Sequence, residues 1–228
     1  MRVIRNKNIR SVLNIIIPCV LMPAVIIFGS LYAQGKQYAL TSLVLALMSL
    51  VLFICGFESQ KTGTRRLVIV AVMVALSVAG RFIPLFKPIT AITVITAVTL
   101  GPQAGFLTGA FSALISNIYF GQGPWTPFQM FAWGILGLIA GLLSKPLNKS
   151  RTLLLIYLVF AGIAYSFIMD IWTVLWYNEG FNLKMYTAAL ISAIPHTIMY
   201  SVSNVIFALL LAKPFCDKLN RVKIKYDV

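Results

Sequence analysis

The stretch 152–176, TLLLIYLVFAGIAYSFIMDIWTVLW, decides how this chain must be read. It runs on with one charged residue, Asp170, near its far end. A helix of about 20 apolar residues, rising ~1.5 Å each, covers the hydrocarbon core of a bilayer. Working outward, seven more apolar stretches follow the same reading: 11–32, 39–56, 67–82, 89–100, 104–120, 127–143 and 187–212. The first and the last of these are long enough to span. The stretch 89–100 is too short alone, so it is expected to extend a few residues at both ends or to lie tilted. Of the 228 residues, 60% are hydrophobic and 11% charged, where soluble domains carry about 25% charged. Mean hydropathy is +0.91. These values exclude an ordinary globular enzyme, a disordered chain and a fibre. The expected fold is all-α, a polytopic membrane helical bundle.

The formal net charge is +14. In a soluble protein that excess would point to nucleic acid. Here the basic residues sit in short segments between apolar stretches, so no nucleic-acid partner is expected. With the N-terminus inside, fifteen Lys and Arg fall on inner segments and only Lys36, Arg81, Lys87 and Lys184 on outer ones. The bias favours eight spans with both termini cytoplasmic. The first stretch, preceded by Arg2, Arg5, Lys7 and Arg10, resembles a signal peptide but is longer than an h-region and is expected to be retained. Cys19, Cys55 and Cys216 fit no metal-ligand spacing, and no metal site is expected.

Residues 57–66 are the most polar break in the first half. We read 1–60 as an accessory pair of helices, 65–215 as the six-helix substrate-binding unit, and 216–228 as a basic cytoplasmic tail. Small residues four apart let helix backbones approach closely. Ala71, Ala75 and Ala79 form one such ridge, Gly105, Gly109 and Ala113 a second, Gly137 and Gly141 a third. Each serves either internal packing or docking of another membrane protein, with the alanine ridge the better docking candidate.

Ionisable residues inside a membrane are functional candidates. Asp170, His196 and Arg81 lie about 27, 25 and 22 Å above the inner ends of their helices, which places all three in the outer leaflet. Arg81 and Asp170 either pair structurally or contact a ligand. His196, after Pro195, either is a satisfied structural histidine or meets the ligand. Around them gather Asn117, Tyr119, Gln122, Trp125, Phe128, Trp172, Trp176, Tyr177 and Tyr200, with Lys87 in an outer loop. These aromatic residues form either an interfacial belt or a pocket. The loop GQGPWTP at 121–127 is tightly turned and carries Trp125 over the bundle mouth. Catalysis finds no support: there is one His, and no HExxH, GxSxG or GxxxxGK[ST]. Uphill transport would need a partner or an ion gradient.

The residues Arg65–Arg66, the alanine ridge, Gly80 to Pro84, Lys87–Pro88, Gly101 to Gly105 and the 121–127 loop together resemble the S components of energy-coupling factor (ECF) vitamin transporters. The likeness covers roughly 65–215. It implies a multi-pass protein of a prokaryotic cell membrane, with six helices and a vitamin held near the outer face. It also implies no intrinsic cofactor and partners that use the ATP: a membrane coupling subunit, met by Ala71, Ala75 and Ala79, and two cytoplasmic ATPases. The 121–127 loop looks most like the cobalamin-specific members, which makes cobalamin or a related corrinoid the expected transported substrate. Another vitamin or a nucleobase-like compound stays open. So does a stand-alone, ion-coupled transporter using Asp170 and His196 as a proton relay.

Overall fold

The computed structural model describes residues 7–32, 40, 43–49, 51, 63–84, 86–177 and 181–226. Half of the apolar stretch 39–56, together with Lys36, Lys61 and Asn178, lies outside the described residues. Every described element is helical. The chain begins with α1 (Lys7–Ile16), a π turn (Ile17–Leu21) and α2 (Met22–Tyr32). Then come α3 (Gly63–Gly80), α4 (Ile89–Leu100), α5 (Pro102–Phe120), α6 (Thr126–Leu142) and the short α7 (Ser144–Lys149). The long helices α8 (Arg151–Tyr177) and α9 (Leu183–Phe207) follow, and α9 passes through a second π turn (Ala208–Ala212) into α10 (Lys213–Tyr226).

The centre of the molecule is α4. All its residues from Ile89 to Leu100 are buried. It does not extend at either end, which removes the first of the two alternatives for 89–100. Pro88 sets its start, and Gly101, at φ +95°, turns the chain before Pro102 opens α5. A helix end leaves four carbonyls without partners, which is costly away from water. Here all four are met. Gly101 N–H donates to the Ala97 carbonyl at 2.8 Å, Asn148 Nδ2 to Val98 at 2.9 Å, and Lys223 Nζ to Thr99 at 3.2 Å. The buried Arg66 donates to the Leu100 carbonyl. Two of these donors are cationic, the favourable sign at a helix C-terminus. The half-length helix is therefore closed inside the protein by side chains from α3, α7 and α10.

The glycine ridges pack within the chain. A Cβ on Gly109 would meet the Trp133 carbonyl oxygen at 2.4 Å, and one on Gly137 would meet the Gly105 oxygen at 2.5 Å. A Cβ on Gly141 would lie 2.3 Å from Pro102 Cα. Thus α5 and α6 touch backbone to backbone, which fixes both ridges as an internal seam. The alanine ridge differs: Ala71, Ala75 and Ala79 are exposed, while Val70, Met73, Val74 and Ser77 on the other face of α3 are buried. Among the described residues α2 packs against α6 and α8.

The last apolar helix does not stop at 212. It runs on through the π turn, and residues 213–226 continue as helix rather than as an irregular tail. On α8 and α9, Ile156, Phe160, Ile163, Ile191, Ile198 and Val202 are exposed. A water-facing surface rarely shows so continuous an apolar face.

Candidate functional site

One end of the bundle collects the C-termini of α3, α5 and α8 with the N-termini of α4 and α6. The polar chemistry concentrates there. Arg81 follows the last turn of α3. Its Nη1 donates to Ser116 Oγ at 2.5 Å and to Asn117 Oδ1 at 2.6 Å, both on α5. The guanidinium lies 4.7 Å from the Phe120 ring centroid and 5.7 Å from that of Trp133, over both faces. Such cation–π contacts offset part of the desolvation of a charge. No carboxylate pairs with Arg81 among the described residues.

From Asn117 the hydrogen bonds run onward through the 121–127 loop. Asn117 Nδ2 donates to Thr126 Oγ1 at 2.9 Å and to Gln129 Oε1 at 2.8 Å. Thr126 Oγ1 donates to Gln122 Oε1 at 2.9 Å, and Gln122 Nε2 to the Leu114 carbonyl at 2.8 Å. The loop is thereby tied to α5 at two points. The Trp125 ring lies directly over Gly123, where a Cβ would come within 2.3 Å of it. Trp125 in turn meets Trp172 of α8 edge to face, at 5.9 Å.

The opposite wall is aromatic. Trp133 and Tyr165 stack in parallel at 4.8 Å, and Tyr165 meets Tyr200 of α9 at 5.3 Å. Lys87 lies 6.0 Å from the Tyr200 ring centroid, and its N–H donates to Ser203 Oγ at 2.8 Å. Burial and the Arg81 guanidinium push the Lys87 amine below the ordinary lysine value. Asp170 Oδ2, Trp172 Nε1, Trp133 Nε1 and Asn204 Oδ1 are buried with no hydrogen-bond partner. Buried polar atoms are nearly always paired, so these four stand out.

The geometry thus joins Arg81, Asn117 and Gln122 in one network, Trp125 with Trp172, and Lys87 with Tyr200. It does not join Asp170 to Arg81: of the two alternatives for these residues the structural ion pair is not formed, and Asp170 lies on the buried face of α8 with no cation beside it among the described residues. His196 is exposed, because the inward face of α9 runs through Thr197, Tyr200 and Asn204. Tyr119 is 72% exposed and Tyr177 71%, at the ends of α5 and α8, and Trp176 is exposed beside Tyr177. Phe128 is buried in the apolar core. Trp133 and Gln129, which the sequence places among the aromatic and amide residues at this end, belong to the wall, and so does Tyr165, which it does not single out. Tyr165 was readable, since it lies seven residues before Trp172 and so on the same helix face.

Apolar side chains outward and a polar, aromatic interior define an integral membrane protein built around an internal site. Comparison with known proteins gives the family. A family model for the ECF-type riboflavin transporter, S component, matches residues 61–216. The chain belongs to that family, and is accordingly a membrane protein. A UPF0397 protein of Clostridium perfringens (strain SM101) is 30% identical over 115 residues, covering 46% of this chain and 61% of that relative. Another, from strain ATCC 13124 of that organism, is 29% identical over 131 residues, covering 54% of this chain and 70% of its own length. The chain thus spans about three fifths of the first of these relatives. No solved structure matches it.

If Trp125 closes the site, Trp125→Ala removes one face of the Trp172 contact without touching the Arg81 network. Affinity for the site's ligand is expected to fall by ~1–3 kcal/mol, the scale of one buried aromatic contact. Titration of the purified variant checks this; unchanged affinity would assign Trp125 to the interfacial belt.

Proposed function

We propose that this chain is the substrate-binding subunit of an ECF-type vitamin transporter. It captures a vitamin at its outer end and works with a membrane coupling subunit and two cytoplasmic ATPases rather than as an enzyme. We further propose a planar, polar-edged substrate of the riboflavin class. The observation that carries the proposal is the Arg81 guanidinium, held without a carboxylate beside the Trp133–Tyr165 stack. Aromatic walls suit a fused ring system, and a cationic donor with only neutral acceptors suits its carbonyl edge. The name of the matched family supports riboflavin. Nothing found supports cobalamin, the expectation drawn from the 121–127 loop. The ion-coupled alternative is weakened because Asp170 and His196 lie on differently oriented faces, one buried and one exposed.

The test is a binding titration of the purified full-length chain without ATP. Riboflavin fluorescence is expected to be quenched at one site per chain, since stacking on Trp or Tyr quenches flavins. Cyanocobalamin and thiamine are expected not to compete. Displacement by cyanocobalamin, or binding of it with no effect of riboflavin, would overturn the substrate assignment. Binding of neither would overturn the vitamin reading of the site.

A further inference from the structure

At the other end of the molecule the start of α8 meets the junction of α9 and α10. Between them lies a cavity of about 370 Å³. One wall is apolar, formed by Leu154, Leu155, Ala208 and Ala212. The rim is polar, formed by Arg151, Lys213, Asp217 and Asn220. Arg151 uses Nη2 to hold the Leu209 carbonyl at 2.7 Å, inside the π turn, which fixes the guanidinium at the mouth. Lys213 is exposed. The Lys and Arg distribution places this end at the cytoplasmic interface, where apolar helix surface gives way to charge.

An apolar wall continuous with a cationic rim at that depth matches an amphiphile. The rim carries two cations and one carboxylate, a net single positive charge, so the complementary head group is singly negative. Asp217 and Asn220 offer acceptors, which a phosphate alone does not use but head-group hydroxyls do. We propose that this cavity binds an anionic, hydroxyl-bearing phospholipid of the phosphatidylglycerol class. The phosphate sits against Arg151 and Lys213, the hydroxyls reach Asp217 and Asn220, and an acyl chain starts along the leucine wall. The bound lipid bridges α8 to α10 across the π turn. This site is remote from the vitamin site and does not depend on the transport reading.

The experiment is native mass spectrometry of the full chain in a mild detergent. Phosphatidylglycerol, phosphatidylethanolamine and phosphatidylcholine with identical acyl chains are added in turn. One retained phosphatidylglycerol is expected, in preference to the other two. A cation near a membrane surface contributes roughly a fivefold preference for an anionic lipid. Lys213→Gln, which removes no bond that holds the fold, is expected to lower the preference about that much. Arg151→Gln should lower it further, and Lys218→Gln, outside the cavity, should leave it unchanged. Equal retention of the three lipids, or an unaltered preference in Lys213→Gln, would overturn the proposal. So would a preference for phosphatidylethanolamine, which would make the occupant zwitterionic. Full competition by inorganic phosphate would show a phosphate site without a lipid, and a chain dimer in place of lipid adducts would show a second copy on this face.

Discussion

Arg81→Gln is expected to weaken vitamin binding by about ten- to a hundredfold, the ~1.5–3 kcal/mol carried by a hydrogen bond from a charged group. Thermal stability is expected to hold or rise. A half-buried cation without a counter-ion is costly to desolvate, and the guanidinium donates to Ser116 Oγ and Asn117 Oδ1, two neutral acceptors. Glutamine can still donate to one of them. A purely structural arginine behaves oppositely: its removal lowers the melting temperature and leaves affinity intact. Arg81→Lys separates charge from geometry. Lysine keeps the cation but lacks the planar fork that reaches two acceptors while lying over Phe120 and Trp133. It is expected to bind more weakly than the native chain and more tightly than the glutamine variant. Calorimetry and a thermal melt on the three proteins decide between these roles. Falling stability with unchanged affinity would remove Arg81 from the site.

The parts of the fold set by local chemistry were legible in the sequence. The stretch 104–120 becomes Pro102–Phe120 and 152–176 becomes Arg151–Tyr177, because proline, glycine or charge interrupts the apolar run at each end. That α4 stays short rather than extending was not legible, for a long-range reason. Its end is closed by Arg66, Asn148 and Lys223, which lie 34, 50 and 124 residues from the carbonyls they meet. No local pattern shows that pairing. Both π turns are equally invisible to apolar periodicity.

The site was legible in depth but not in direction. Counting residues from an interface places Arg81, Asp170 and His196 at similar heights, yet each residue turns ~100° about the helix axis. His196 is one position from the inward-facing Thr197, and that rotation carries it to the exposed side. Asp170 stays on the buried face but finds no cation. Arg81 binds Asn117, 36 residues away, rather than pairing with Asp170, one of its two alternative roles. The loop 121–127 was singled out correctly as structured, since Thr126 and Gln122 tie it down and Trp125 covers Gly123.

Ala75→Trp is expected to abolish ATP-driven vitamin uptake while the isolated chain still binds vitamin. Ala71, Ala75 and Ala79 stand four apart on the exposed face of α3. They line, with Val74, Val78, Phe82 and Ile115, an apolar groove of about 560 Å³. In a bilayer, burial from water does not drive helices together; close packing over small side chains does. Three methyl groups in a row admit a partner helix to the shortest backbone separation, and one indole at the middle of the row prevents it. The variant should fold, because Ala75 faces outward and the packing face of α3 is carried by Val70, Met73 and Ser77. The vitamin site should survive, because Arg81 and the 121–127 loop lie beyond the groove. The measurement is uptake into vesicles containing the coupling subunit and the two ATPases, beside co-purification of the chain with that subunit and a binding titration of the chain alone. Loss of uptake and co-purification with binding retained identifies the groove as the docking face. Loss of binding or of the fold makes the ridge an internal packing surface. Unchanged uptake leaves it facing lipid, and coupling must then pass through another face.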